Sequence, residues 1–150
     1  NPRRPRGWYE LGVLLLGRNR VPQAVEALQE CVRLEPNHMN AWNALGNGLL
    51  RVGRDDDAVD AYEQAAIALD IQVRRHVSES IRLRDAGLMD AALAEADKAL
   101  ALDPLDGKAR LSRGVALAAM GDDSGARQVM ERLWLEHPEL ADQLREYLGG

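Results

Sequence analysis

The hydrophobic positions of this chain fall on a grid. Leu15, Leu49, Leu83 and Leu117 stand 34 residues apart, and so do Ala24, Ala58, Ala92 and Ala126. Trp8 and Trp42 share the period, as do Leu11 and Leu45; Gly12, Gly46 and Gly114 keep it as well, with Ser80 in the vacant place. Pro36, Pro104 and Pro138 close three periods, and Asp70 takes that place in the second. A period of this length suits one pair of helices, which buries its apolar faces by stacking on neighbouring pairs. The polar positions agree. Gly53, Gly87 and Gly121 mark the turn inside a pair, and Pro22 suits the first turn of a second helix. Asp55, Asp56 and Asp57, and later Asp122 and Asp123, place negative charge where second helices begin, at the positive end of the helix dipole.

The predicted units are 5–38, 39–72, 73–106 and 107–140, preceded by a linker at 1–4 and followed by a capping helix over 141–150. Around that cap Leu140, Leu144 and Leu148 recur at i, i+4 and i+8 with Tyr147 beside them, one apolar face able to cover an open end of a stack. Gly46 and Gly48 lie within a predicted helix, where glycine costs roughly 1 kcal/mol against alanine. The expectation is that Gly12, Gly46 and Gly114 pack against Ala24, Ala58 and Ala126, letting two backbones approach where a leucine would separate them.

The third unit breaks the pattern. His76 stands where tryptophan would, Glu79 where the buried leucine would, and Ser80 where glycine would. A carboxylate on that face must escape the core or find a partner. From Arg54 to Ala86 there is neither Gly nor Pro, and Leu69, Val73, Val77 and Ile81 run as an i, i+4 ladder across the expected turn. The period favours a degenerate unit with a turn near Asp70 to Val73. The ladder instead allows one long helix, which would open the stack and invite domain swapping or dimerisation.

Composition narrows the field. The chain is 46% hydrophobic but only 4% aromatic, with no Phe and no Thr, which favours helix throughout. Net charge is −5, so the molecule as a whole has no general attraction for nucleic acid or anionic lipid, and no apolar run is long enough for membrane insertion. Cys31, the single cysteine, fits a reducing compartment, and a cytoplasmic location is expected. The excess of Arg over Lys suggests a GC-rich bacterial coding sequence. No metal, cofactor or catalytic site is expected. His38, His76 and His137 fall at three different phases, the Asp triplet lacks the rest of a calcium loop, and no phosphate loop or GxSxG occurs.

Trp8, Leu11, Gly12, Leu15, Ala24, Leu28 and Pro36, followed by Trp42, Leu45, Gly46, Leu49, Ala58 and Tyr62, resemble the tetratricopeptide repeat family over nearly the whole chain. In the fourth unit Gly114, Leu117, Gly121, Ala126 and Pro138 fit, while Arg110 and Arg113 replace the tryptophan and leucine. The resemblance implies an all-α, right-handed superhelical solenoid of four helix-turn-helix units plus a C-terminal capping helix. It also implies a concave groove lined by the first helices. Carried onto this chain, the groove residues are Arg6, Tyr9, Val13 and Leu16; Asn40, Asn43, Asn47 and Arg51; Arg74, Val77, Ile81 and Arg84; and Lys108, Leu111, Val115 and Ala118.

Five of these are basic and none is acidic, so the groove is expected to be electropositive. Side-chain amides can pair with the backbone of an extended peptide, and arginines can hold carboxylates. Those properties point to a non-catalytic scaffold for a protein or peptide partner carrying an acidic or C-terminal segment. Val13, Leu16, Val77, Ile81, Leu111 and Val115 suit instead an amphipathic helix or a second copy of the chain. A homo-oligomeric structural scaffold, assembled through the groove or a long helix, is therefore an alternative, as is a recognition module of a larger enzyme. The five-residue clamp that some family members use for chaperone tails would fall on Asn43, Asn47, Ser78, Lys108 and Ser112, of which only Asn47 and Lys108 match.

Overall fold

The structure, a computed structural model, describes residues 4–149. Of the predicted linker, residues 1–3 lie outside the described residues. The chain is all-α: α1 (Pro5–Gly17), α2 (Val21–Leu34), α3 (Met39–Arg51), α4 (Asp55–Asp85), α5 (Met89–Leu102), α6 (Gly107–Ala119), α7 (Asp123–Glu136) and α8 (Pro138–Tyr147), with no strand among the described residues. None of these helices is long and apolar enough to cross a membrane.

Local chemistry sets the helix ends. Pro occupies the first turn of α1, α2 and α8, where its missing N–H costs nothing. Asp106 and Asp122 cap α6 and α7, their carboxylates accepting from Ala109 N at 2.6 Å and Gly125 N at 2.9 Å. The turns inside the pairs need one left-handed residue each. Gly53, Gly87 and Gly121 supply it, and Asn19 does so one period before the first of them, at φ 58°.

Two compact units make up the chain, one ending at Ile71 and one beginning at Gln72. The first is built on Leu28, Cys31, Leu45, Leu49, Ala58 and Ala61, with Trp8, Trp42 and Tyr62 packed against them. Cys31 is fully buried, and burial pushes its thiol pKa up, so it stays protonated. The second unit centres on Leu117, Val129, Leu133, Ala141 and Leu144.

The expected turn near Asp70 to Val73 is not made, and α4 runs 31 residues through it. The third unit's own residues explain this. Where α3 presents Ala41, Ala44, Leu45 and Gly48, the positions one period on are Arg75, Ser78, Glu79 and Arg82. A helix with that face cannot be buried against a preceding pair, since charges lose their hydration without gaining partners. Arg75 and Arg82 are exposed, and Glu79 reaches solvent beside Arg82 at 2.6 Å. With no breaker from 54 to 86, helix simply propagates. Val25 in α2 is 6% exposed, whereas Val59 at the same register in α4 is 55% exposed.

The glycine expectation is half right. A close approach does occur, but the facing group is not the alanine. A Cβ at Gly12 would lie 2.5 Å from Leu28, and one at Gly46 would lie 2.8 Å from the Tyr62 ring, four residues beyond Ala24 and Ala58 respectively. At Gly114 the obstruction is Leu144 of α8, at 2.5 Å.

The departures of the third and fourth repeats, both in the second compact unit, find partners there. His76 Nδ1 meets Glu95 at 2.6 Å. Ser80 is buried at 1% exposure, donates to the Ala92 carbonyl at 2.7 Å and accepts from the Ser112 hydroxyl at the same distance. Arg110 does the work of the family tryptophan. Trp42 Nε1 donates to the Pro36 carbonyl at 2.7 Å; Arg110 Nη2 donates to the Pro104 carbonyl at 2.8 Å, six residues back in both cases.

Candidate functional site

The second unit gathers most of its predicted groove residues around one cavity of about 340 Å³. Val77, Ile81 and Arg84 come from α4, and Lys108, Leu111 and Val115 from α6. Arg74 and Ala118 are the predicted residues of this half that do not line it; Arg74 lies exposed further back along α4. The spacing accounts for the convergence: residues 77, 81 and 84, and residues 108, 111 and 115, each keep to one side of a helix by steps of three and four.

The floor is fixed by the Ser80–Ser112 pair, since Ser112 lines the cavity and Ser80 ties α4 to the carbonyl of Ala92 in α5. That bond also commits the Ser112 hydroxyl, so one position of the chaperone-type clamp is already spent. Val115 is buried, Leu111 half-buried and Ile81 exposed, giving an apolar wall that opens toward solvent.

α8 supplies the third wall through Leu140, Gln143 and Tyr147. Gly114 makes this possible, because without a side chain there Leu144 seats fully buried and draws α8 onto α6. The groove rule carried over from the family names first helices only, and therefore missed these three residues. Their signal was present in the spacing of Leu140, Leu144 and Leu148 with Tyr147 alongside.

Two cations stand at the mouth in different states. Arg84 is held by Asp85 at 2.7 Å, with its guanidinium 6.0 Å from the centre of the Tyr147 ring. Lys108 is exposed and has no charge or hydrogen-bond partner among the described residues.

The predicted residues of the first unit are more scattered in their commitments. Arg6 pairs with Glu10 at 2.8 Å, and the Tyr9 ring packs on His38 with centroids 4.9 Å apart. Asn47 accepts from the Tyr62 hydroxyl at 2.7 Å, while Asn40 is exposed and Asn43 half-buried. Arg51 corrects an expectation. It stands one residue past the register shared by Leu16, Arg84 and Ala118, which Leu50 holds, and it bonds the Leu16 carbonyl at 3.2 Å and Asn19 at 2.6 Å. Glu10 and Asp85 partly offset the charges of Arg6 and Arg84, whereas Arg51 is tied to neutral acceptors and keeps its charge.

Among solved structures, that of YrrB, described as a TPR protein with an unusual peptide-binding site, is 21% identical, with 99% of this chain and 76% of that one covered at a TM-score of 0.46. MamA is 19% identical over 97% of this chain and 81% of its own, at 0.45. Pseudomonas aeruginosa PilF is 18% identical over 97% and 76%, at 0.42. No curated protein matches the chain. The sequence pattern of the tetratricopeptide repeat fits residues 1–72 and 78–134, the break between the two stretches falling inside α4. With the helix pairs and the 34-residue register observed above, that match makes the chain a member of the tetratricopeptide repeat family, whose fold serves as a scaffold for protein–protein interaction.

Proposed function

We propose that this chain is a non-catalytic binding module that seats apolar side chains of a partner segment in the cavity between α4, α6 and α8. The observation that supports this is the pairing of an apolar wall, drawn from three helices, with the unpartnered Lys108 at its mouth. A segment combining bulky apolar residues with a nearby carboxylate, whether on an amphipathic helix or at a chain terminus, satisfies both features. Affinity for such a segment is expected in the micromolar range, about 8 kcal/mol. The same module would serve equally well as the recognition part of a larger enzyme.

A labelled acidic amphipathic peptide, titrated by fluorescence anisotropy, tests the reading. Leu111→Asp should abolish binding while far-UV circular dichroism shows the helices intact, and Lys108→Glu should weaken it several-fold, with a flatter salt dependence. Equal affinity for wild type and Leu111→Asp would reject the site.

Self-assembly by exchange along α4 is the second reading, since a continuous helix is the element an exchange requires. Its own chemistry opposes it. Packing the third unit's first helix onto a second copy would bury Arg75, Glu79 and Arg82, the face that prevented the ordinary turn. Light scattering is expected to give the monomer mass across concentration.

A further inference from the structure

The opposite flank of α6 carries a second crevice, and its counterpart in the first unit shows how it has changed. In the first unit Val32, Trp42, Leu45, Asp60, Ala61 and Gln64 line a cavity of about 420 Å³, together with the Arg54–Asp57 pair at 2.6 Å. Two periods later the same positions are Leu100, Arg110, Arg113, Gln128, Val129 and Arg132, and they line a cavity of about 390 Å³. The apolar Val32 and Ala61 positions stay apolar. At these six positions Trp42 and Leu45 become arginines, Asp60 becomes an amide and Gln64 becomes an arginine, while elsewhere on the first cavity's lining Gln29 becomes Asp97, Arg33 becomes Ala101 and Arg54 becomes Asp122. Asp57 corresponds to Gly125. A crevice with balanced charge has become one lined by three guanidinium groups and no carboxylate.

These arginines differ in availability. Arg110, with a side chain only 12% exposed, is fixed by the Pro104 carbonyl and by Glu136. Arg113 meets Asp97 at 2.8 Å in a largely solvated pair, of the kind that contributes little and exchanges readily. Arg132 has no ion-pair or hydrogen-bond partner among the described residues.

We propose that this crevice is a binding site for a small oxyanion, a phosphate or carboxylate group, held by the forks of Arg113 and Arg132 in front of the fixed cation Arg110. Planar guanidinium donors match both oxyanions with paired hydrogen bonds, and the volume lies in the range of small-molecule sites. At 100° per residue, Arg110 and Arg113 point away from Lys108, Leu111 and Val115. Occupation therefore leaves the partner cavity open, and the two sites can fail separately.

The test is a titration of the full chain with inorganic phosphate, pyrophosphate and citrate at ionic strength held constant with sodium chloride, following the arginine Nε–H signals by NMR. Saturable shifts are expected at Arg113 and Arg132, and not at Arg127, which faces elsewhere on α7. Arg132→Gln, an exposed substitution, should weaken binding about tenfold or more and leave peptide affinity unchanged. Binding of pyrophosphate alone would assign a phosphate ligand, citrate alone a carboxylate, and both the shared oxyanion geometry. No saturable shift at Arg113 and Arg132 in wild type, or equal affinity in Arg132→Gln, overturns the proposal.

Discussion

Trp42 and Arg110 occupy the same place in two units and are chemically unlike, yet each delivers an N–H to the carbonyl of a proline six residues back. In the first unit the aromatic ring does this while packing against Leu28, Leu45 and Leu49. In the second, a guanidinium does it while pairing with Glu136, and the neighbouring core moves to Leu133, Leu144 and α8. In these two repeats the requirement is met by a long side chain with a donor at the right reach, whereas His76 at the same place pairs with Glu95 instead. Apolarity is one way to meet that requirement, and the residue chosen decides what the flank of the helix can bind.

The sharpest way to break the comparison is to truncate both residues. Trp42→Ala should cost about 3 kcal/mol, through lost packing, and Arg110→Ala about 1 kcal/mol, since water can reach the exposed Pro104 carbonyl and Glu136 once the guanidinium is gone. Denaturant unfolding measures both, and a larger loss for Arg110→Ala would mean that the polar replacement carries the fold. Ser80→Ala comes next. It leaves Ser112 and the Ala92 carbonyl buried without their partner and should cost about 1–2 kcal/mol, where a surface serine would cost nothing measurable.

A smaller effect concerns pH. Lys98 and His76 hold the Glu95 carboxyl below its ordinary pKa of 4.5, first through the lysine hydrogen bond and then through the imidazole. A depressed carboxylate stabilises the folded chain in full above the unfolded value, and that contribution disappears as pH falls through the lower folded value. Stability should therefore fall on acidification below about pH 4.5 less steeply in Glu95→Gln than in wild type, as followed by thermal melts. Parallel curves would show that Glu95 contributes nothing to the acid limb.

The helix pairs were legible because a 34-residue period with Pro, Gly and Asp at fixed phases marks both ends of each helix. The long α4 was legible only in part. The ladder through Leu69, Val73, Val77 and Ile81 allowed it, but the deciding feature was the polar face of Arg75, Ser78, Glu79 and Arg82, of which Glu79 alone drew notice. The Gly12 and Gly46 contacts were placed on the right helix and one turn off, because Ala24 and Ala58 repeat more regularly than Leu28 and Tyr62, and the nearest contact of Gly114 falls on α8 instead of α7. The candidate site was readable for α4 and α6, whose residues follow the register. Its α8 wall depends on Leu144 packing over Gly114; the spacing of Leu140, Leu144 and Leu148 marks the apolar face of that helix but not the partner it meets.

The most direct test of the central claim is backbone amide shift mapping on addition of the acidic amphipathic peptide. Perturbations are expected to centre on Val77, Ile81, Lys108, Leu111, Val115 and the α8 residues around Tyr147, with the first unit silent. Shifts confined to Tyr9, Asn43 and Asn47 would place recognition in the other unit and contradict the account.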